Sequence, residues 1–180
     1  MIYTKNHLKN SFVGDYTYGA LTVYPPNPEL EHKITIGKFC SFADGITLSF
    51  HSNHSLKDIT TYPFDSLQSE GWPSVEFSSS SGYKSITIEN DVWVGYGCQI
   101  LQGSHISNGS IIGAYSVVRG YLPPYSICIG NPAQIIRKRF SDEDIEKLLQ
   151  VQWWDWPVEK IKENLHIICS TNIQNLKNSK

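Results

Sequence analysis

No charge of either sign is in excess in this chain: 15 lysines and arginines stand against 17 aspartates and glutamates, a formal charge of -2 over 180 residues. That balance excludes a broad surface for nucleic acid or another polyanion and leaves only local basic clusters. Long apolar runs are missing too. Although 40% of the residues are hydrophobic, no stretch approaches the roughly 20 apolar residues of a membrane span, and the opening MIYTKNHLKN has no apolar signal-peptide core. A soluble, cytoplasmic protein is expected. The four cysteines, Cys40, Cys98, Cys128 and Cys169, contain no CxxC pair, so the usual zinc and thiol-redox spacings are absent. Cys40 and Cys98 are expected to be small buried hydrophobes with reduced thiols, and no metal is expected. The length fits one domain, with room for a small appendage.

What is present is a beat of six. Aliphatic residues recur at Ile88, Val94, Ile100, Ile106, Ile112 and Val118, with small residues two places ahead at Cys98, Ser104, Ser110 and Ser116 and glycine following at Gly95 and Gly113. An alternating strand has period 2 and a helix 3.6; a strict six belongs to a hexapeptide parallel β-helix, with one short strand and one turn per hexad. The same beat sounds earlier at Ile36, Phe42 and Leu48, with Ile34, Cys40 and Ile46 as companions. Three hexads close one triangular coil, and coils stacked at about 4.8 Å pair their backbones up and down while aliphatic side chains fill the axis. The fold class is therefore an all-β solenoid whose open ends call for caps and whose flat faces invite association. Residues 1–35 read as an irregular opening, and the repeat is expected to end after Val118 in the proline-punctuated YLPPYSICIGNPAQIIRKRF.

Residues 49–85 interrupt the beat, and a connection of that length inside a compact domain is usually functional. It carries His51, His54, Tyr62, Pro63, Phe64, Trp72 and Pro73 and then a serine run, Ser78 to Ser81. Aromatic burial is expected to anchor one part while the serines leave a mobile tip. After residue 140 the pattern turns helical: Ser141 as N-cap with acidic residues at 142–144, then Ile145, Leu148 and Leu149 on one face. A second helix is expected from Pro157 with Val158, Ile161 and Leu165 as its stripe. Trp153, Trp154 and Trp156 should pack it on the coil. The chain divides into a solenoid, 1–140, and a C-terminal helical cap and tail, 141–180.

The repeat, the motif NHSLKDITTYPF at 53–64, IENDVWVG at 88–95, GNPAQIIRKRF at 130–140 and the later WWDWP together resemble hexapeptide-repeat acyltransferases. The likeness covers roughly residues 12 to 169. It points to the xenobiotic acetyltransferases, which include streptogramin and type B chloramphenicol acetyltransferases, with related capsule and sugar O-acetyltransferases. The resemblance implies a left-handed β-helix, although crossover physics alone favours the right hand. It also implies acetyl-CoA as co-substrate and a homotrimer with active sites between subunits.

Acyl transfer to a hydroxyl needs a base, because an alcohol is a poor nucleophile until its proton is leaving. A neutral imidazole suits that role at cytoplasmic pH. The resemblance maps the base onto His54, which follows Asn53 and precedes Pro63; His51 is read as a plain loop histidine. Asn53 and Tyr62, with Asp15, Tyr16 and Tyr18 of GDYTYG, are assigned to the acceptor; Asp15 either binds a hydroxyl or sits in a turn. Trp72 of SEGWPS matches a tryptophan along the coenzyme, with packing of the flap as the other explanation. Gly95, Gly97 and Ala114 are either walls for the pantetheine arm or packing positions. Arg137 and Lys138, in a basic cluster with Arg139, either meet the adenosine phosphates or form a solvated run.

Antibiotic-acetylating members carry a longer, acidic and apolar segment after the tryptophan, whereas Pro73–Ser85 is short and serine-rich. A sugar or polysaccharide hydroxyl is therefore the expected acceptor, with an antibiotic hydroxyl or an amino-sugar nitrogen as alternatives. Two other classes stay open. A zinc hydrase would need converging histidines such as His51, His54 and His105, and a scaffold solenoid would have no thioester chemistry.

Overall fold

The computed structural model describes residues 4–8, 10–31, 33–50, 54, 57–75 and 82–176. Its strands in chain order are β1 (Phe12–Val13), β2 (Leu21–Tyr24), β3 (Ile34–Ile36), β4 (Ser41–Phe42), β5 (Ile46–Ser49), β6 (Ile86–Ile88), β7 (Trp93–Val94), β8 (Gln99–Leu101), β9 (His105–Ile106), β10 (Ile111–Ile112), β11 (Val117–Val118), β12 (Tyr121–Leu122), β13 (Ser126–Gly130) and β14 (Ala133–Lys138). They form three sheets, ordered β1-β3-β6-β9-β12, β14-β13-β10-β7-β4 and β11-β8-β5-β2. Every pairing is parallel except β13 with β14, which closes the second sheet as an antiparallel edge. From β3 to β13 successive strands visit the three sheets in turn, as a parallel β-helix requires.

The beat fixes the register. Ile36 pairs with Ile88 and Ile88 with Ile106 along the first sheet, Phe42 with Val94 and Val94 with Ile112 along the second, Leu48 with Ile100 and Ile100 with Val118 along the third. All of these side chains are buried. Each contributes about 1.5–3 kcal/mol as area leaves water. The small companions occupy buried corners where serine hydroxyls serve the backbone: Ser104 Oγ donates to the Val118 carbonyl at 3.2 Å and Ser110 Oγ to that of Pro123 at 3.1 Å.

The solenoid is longer at both ends than the beat suggests. Before Ile36, β1 and β2 already stack on β3 and β5, with Val13 on Ile36 and Val23 on Leu48. That coil is hidden in the sequence because one of its buried positions is polar. Thr17 is satisfied there by donating to the Gly37 carbonyl at 2.7 Å and accepting from the Cys40 amide at 3.0 Å. After Val118 the repeat does not end. Leu122 pairs with Ile106 and Cys128 with Ile112, sixteen residues on instead of eighteen, because a tighter turn through Gly120 (φ 77°) shortens the corner.

A one-turn helix α1 (Pro28–Glu31) lies between β2 and β3. At the other end, α2 (Asp142–Val151) begins as its sequence dictates: Ser141 Oγ accepts from the Asp144 amide at 3.2 Å, and Ile145, Leu148 and Val151 are buried. Trp154 is buried, Trp153 meets Phe39 with ring centroids 4.9 Å apart, and Lys38 Nζ lies 2.7 Å from Asp155 Oδ1. The tryptophans thus join the helices to the solenoid. The expected second stripe is not continuous. The helix α3 (Val158–Glu163) stops at Asn164, whose side chain donates to the Lys160 carbonyl, and α4 (Leu165–Ile168) restarts; Ile161 is buried while Val158 and Leu165 are exposed.

Cys40, Cys98 and Cys128 are buried and Cys169 is exposed. Burial pushes the Cys40 thiol up to about 12. A thiol reagent at neutral pH is therefore expected to titrate one cysteine quickly in the native protein, lost in Cys169→Ser, and the other three only after unfolding. Rapid native labelling at Cys40, read by peptide mass, would contradict this.

Candidate active site

The prism has three corners, and the candidate residues fall on different ones. The corner between the first and second sheets turns through Tyr16, Phe39, Asp91 and Tyr125, all at positive φ. The corner between the second and third turns through Gly45, Gly97 and Tyr115. The third corner, between β5 and β6, carries the insertion.

The insertion is tied at its base. Phe50 is fully buried and meets Tyr83 edge-on at 6.4 Å, while the Lys84 amide donates to Gln102 Oε1 at 2.9 Å. Its centre is held by local turns. Pro63 (φ -82°, ψ 74°) is the middle of an inverse γ-turn closed by the Phe64 amide on the Tyr62 carbonyl at 3.0 Å. A 3-10 helix, Phe64–Glu70, follows and buries none of its residues. Phe64 lies between Tyr62, tilted against it with centroids 4.7 Å apart, and Trp72, stacked on it at 5.5 Å, and Tyr62 and Trp72 stay half exposed. The aromatic anchor is thus a surface cluster of mutually contacting rings, not a buried plug. The expectations for His51, Asn53 and the serine run lie outside the described residues.

His54 is exposed, and its Nδ1 lies 2.6 Å from the Thr61 carbonyl oxygen. A carbonyl can only accept, so a neutral imidazole held there carries its proton on Nδ1 and leaves the Nε2 lone pair bare. This contact sets the orientation of the ring at an exposed position, with Nε2 able to accept a proton. Sequence reasoning missed it, because a backbone carbonyl carries no residue signature.

Of the residues expected at the acceptor, Tyr62 lies in the insertion, and Asp15, Tyr16 and Tyr18 lie at or beside the first corner. Asp15 pairs with Lys5 at 3.0 Å, Tyr18 bridges to Ser41, and Tyr16 stacks flat on Phe39 at 4.9 Å, in line with Trp153. The coenzyme-wall set is at the second corner. Gly95 is buried, and a Cβ there would lie 2.7 Å from the Ala114 amide nitrogen, so its smallness lets adjacent coils approach. Gly97 turns at φ 67° under the Tyr115 ring. Ala114 is exposed beside Tyr96 and Tyr115, which meet edge-on at 5.5 Å.

The basic run splits by role. Arg137 and Lys138 are exposed on β14, Arg137 Nη1 donating to the Lys138 carbonyl and Lys138 pairing with Asp142. Arg139 turns inward: Nη1 donates to the Gly109 carbonyl at 2.6 Å and lies 3.5 Å from Asp91 Oδ2. Burial pushes the Asp91 carboxyl above its usual range and Arg139 pulls it back. A carboxyl with a raised folded-state pKa binds its proton more readily folded than unfolded, so its ionisation costs stability as pH rises through the carboxylate range. Removing the compensating cation should enlarge that cost. Arg139→Gln is expected to lower the melting temperature at neutral pH, and the deficit should shrink as pH falls through the carboxylate range and the carboxyl takes up its proton; a deficit independent of pH would contradict the pairing.

His105, proposed above for a zinc alternative, has Nε2 2.7 Å from Glu89 Oε1 on the face of the first sheet. Among the described residues no three His, Cys, Asp or Glu side chains converge as a metal site would need. Among them, too, no helix is long and apolar enough to cross a membrane.

Residues 85–120 match the family described as bacterial transferase hexapeptide (six repeats). A probable macrolide acetyltransferase of Lysinibacillus sphaericus is 44% identical over 143 residues, covering 77% of this chain and 78% of its own. A chloramphenicol acetyltransferase of Klebsiella aerogenes is 34% identical over 174 residues, 92% of this chain and 82% of its own. A virginiamycin A acetyltransferase of Staphylococcus aureus is 41% identical over 149 residues, 81% and 67%.

Proposed function

The chain belongs to the hexapeptide-repeat acyltransferases, in their xenobiotic acetyltransferase group, and is an acetyltransferase; from that premise we propose that it moves the acetyl group of acetyl-CoA to a hydroxyl of a small acceptor, with His54 as general base. The observation that carries this proposal is the His54 Nδ1 contact with the Thr61 carbonyl, which leaves Nε2 bare at an exposed position. Nε2 takes the acceptor hydroxyl proton as the oxygen attacks the thioester carbonyl. The tetrahedral intermediate then expels the thiolate, which regains that proton from the imidazolium, giving an acetyl ester and free CoA. Preorganised backbone amides would hold the developing oxyanion.

A left-handed coil assembled as a homotrimer supplies what one prism lacks. His54, the acceptor set at Asp15–Tyr18 and the coenzyme wall at Gly97 and Ala114 occupy three separate corners, and packing two prisms side by side can bring corners of adjacent subunits together. Trp93 on the second sheet and Phe12 at the end of the first are exposed apolar surface consistent with such faces. Arg137 and Lys138, exposed on β14, would meet the phosphates of the coenzyme, and Trp72 would lie along its length. Acetyl-CoA dependence fits a cytoplasmic enzyme.

The acceptor expected from the short Pro73–Ser85 segment was a sugar or polysaccharide hydroxyl. The names of the relatives, which are macrolide, chloramphenicol and virginiamycin A acetyltransferases, move the weight to an antibiotic hydroxyl. The test is incubation with acetyl-CoA and, separately, chloramphenicol, a streptogramin A, a macrolide, neutral sugars and an amino sugar, reading CoA thiol and acceptor mass. An acetyl ester on an antibiotic supports the proposal. An ester on a sugar restores the first expectation, an acetyl amide overturns hydroxyl transfer, and no turnover with any acceptor favours a scaffold.

A further inference from the structure

The carbonyl that holds His54 is itself held. Thr61 C=O and Tyr62 N–H are the two ends of one planar peptide unit, and they point in opposite directions. The carbonyl end accepts from His54 Nδ1 at 2.6 Å, and the amide end donates to Thr60 Oγ1 at 3.1 Å. That second bond is a side-chain turn of the kind threonine forms two residues ahead of itself. The next residues continue the restraint, since the Tyr62 carbonyl is tied into the inverse γ-turn at Pro63. From Thr60 to Phe64 the chain is therefore stiff, and the orientation of the peptide plane is set by one hydroxyl.

We propose that Thr60 is a positioning residue for acetyl transfer: its hydroxyl, acting through the Thr61–Tyr62 peptide, fixes the tautomer and ring orientation of His54. This inference rests on His54 being the base. The hydrogen bonds run in one line from the threonine oxygen through the peptide to the imidazole, and members of such a chain polarise one another. Without the hydroxyl the Tyr62 amide turns to water, because Thr60, Thr61 and Tyr62 are all exposed, and the peptide plane is released. The imidazole then samples the tautomer with its proton on Nε2, which cannot accept a proton from the acceptor. The Thr60 side chain needs no contact with either substrate for this.

The experiment is nitrogen-15 NMR of histidine-labelled protein, which reads the tautomer without any acceptor. His54 signals are identified by their loss in His54→Gln. Thr60→Val keeps the branched shape and removes the hydroxyl, and Thr60→Ser keeps the hydroxyl. Wild type and Thr60→Ser should show His54 protonated on Nδ1 and bare on Nε2, and Thr60→Val should show the two tautomers in exchange. Thr60→Val should also slow CoA release by about tenfold, the worth of one hydrogen bond, with the KM for acetyl-CoA unchanged, and Thr60→Ser should restore the rate. A wild-type tautomer in Thr60→Val overturns the positioning role. Full turnover in His54→Gln overturns the base assignment instead, whatever the tautomer shows.

Discussion

His54→Ala is expected to lower acetyl transfer by about 10²- to 10⁴-fold, the usual worth of a positioned general base. The loss should fall on kcat, because the imidazole acts on the acceptor proton as the new bond forms and contributes little to holding the coenzyme. Thermal unfolding should barely move. His54 is exposed, and surface substitutions of this kind stay within about 0.5 kcal/mol. Steady-state CoA release and a melting curve on the same preparation check both halves. A residual rate above the uncatalysed reaction is expected, because two substrates held in one cleft still gain from proximity.

Ile100→Ala is expected to do the reverse. Ile100 is fully buried and sits between Leu48 and Val118 in the third sheet, so truncation leaves a cavity that stacked coils cannot easily collapse. The cost should be about 2–5 kcal/mol, measured as a shift of the urea midpoint with little change in slope. Below the transition, turnover per folded molecule should match wild type, since the insertion that carries His54 leaves from the corner after β5 and keeps its own local turns. A loss of kcat as large as that of His54→Ala would mean that coil packing and chemistry are not separable.

The central coils were legible in the sequence because a period of six has one structural solution, and Ile88, Val94, Ile100, Ile106, Ile112 and Val118 all point inward as counted. The flanking coils were not. Thr17 satisfies its hydroxyl inside the first coil and so breaks the aliphatic pattern, and the shortened corner at Gly120 shifts the count by two before Leu122. His54 stood out as a candidate through its motif. The group that holds it was not legible, because the Thr61 carbonyl is backbone and seven residues away. Arg137, Lys138 and Arg139 look alike in sequence, yet only the last, just past the end of β14, reaches Asp91. That the candidate sets lie on separate corners follows only from the coil's closure, which no local window contains.

One comparison tests the role of His54 most directly: CoA thiol released and acetyl mass gained by the acceptor, measured side by side for wild type, His54→Ala and Ile100→Ala under conditions where all three are folded. Ile100→Ala is expected to transfer acetyl at the wild-type rate while His54→Ala loses at least about a hundredfold. Transfer at the wild-type rate by His54→Ala would contradict that role.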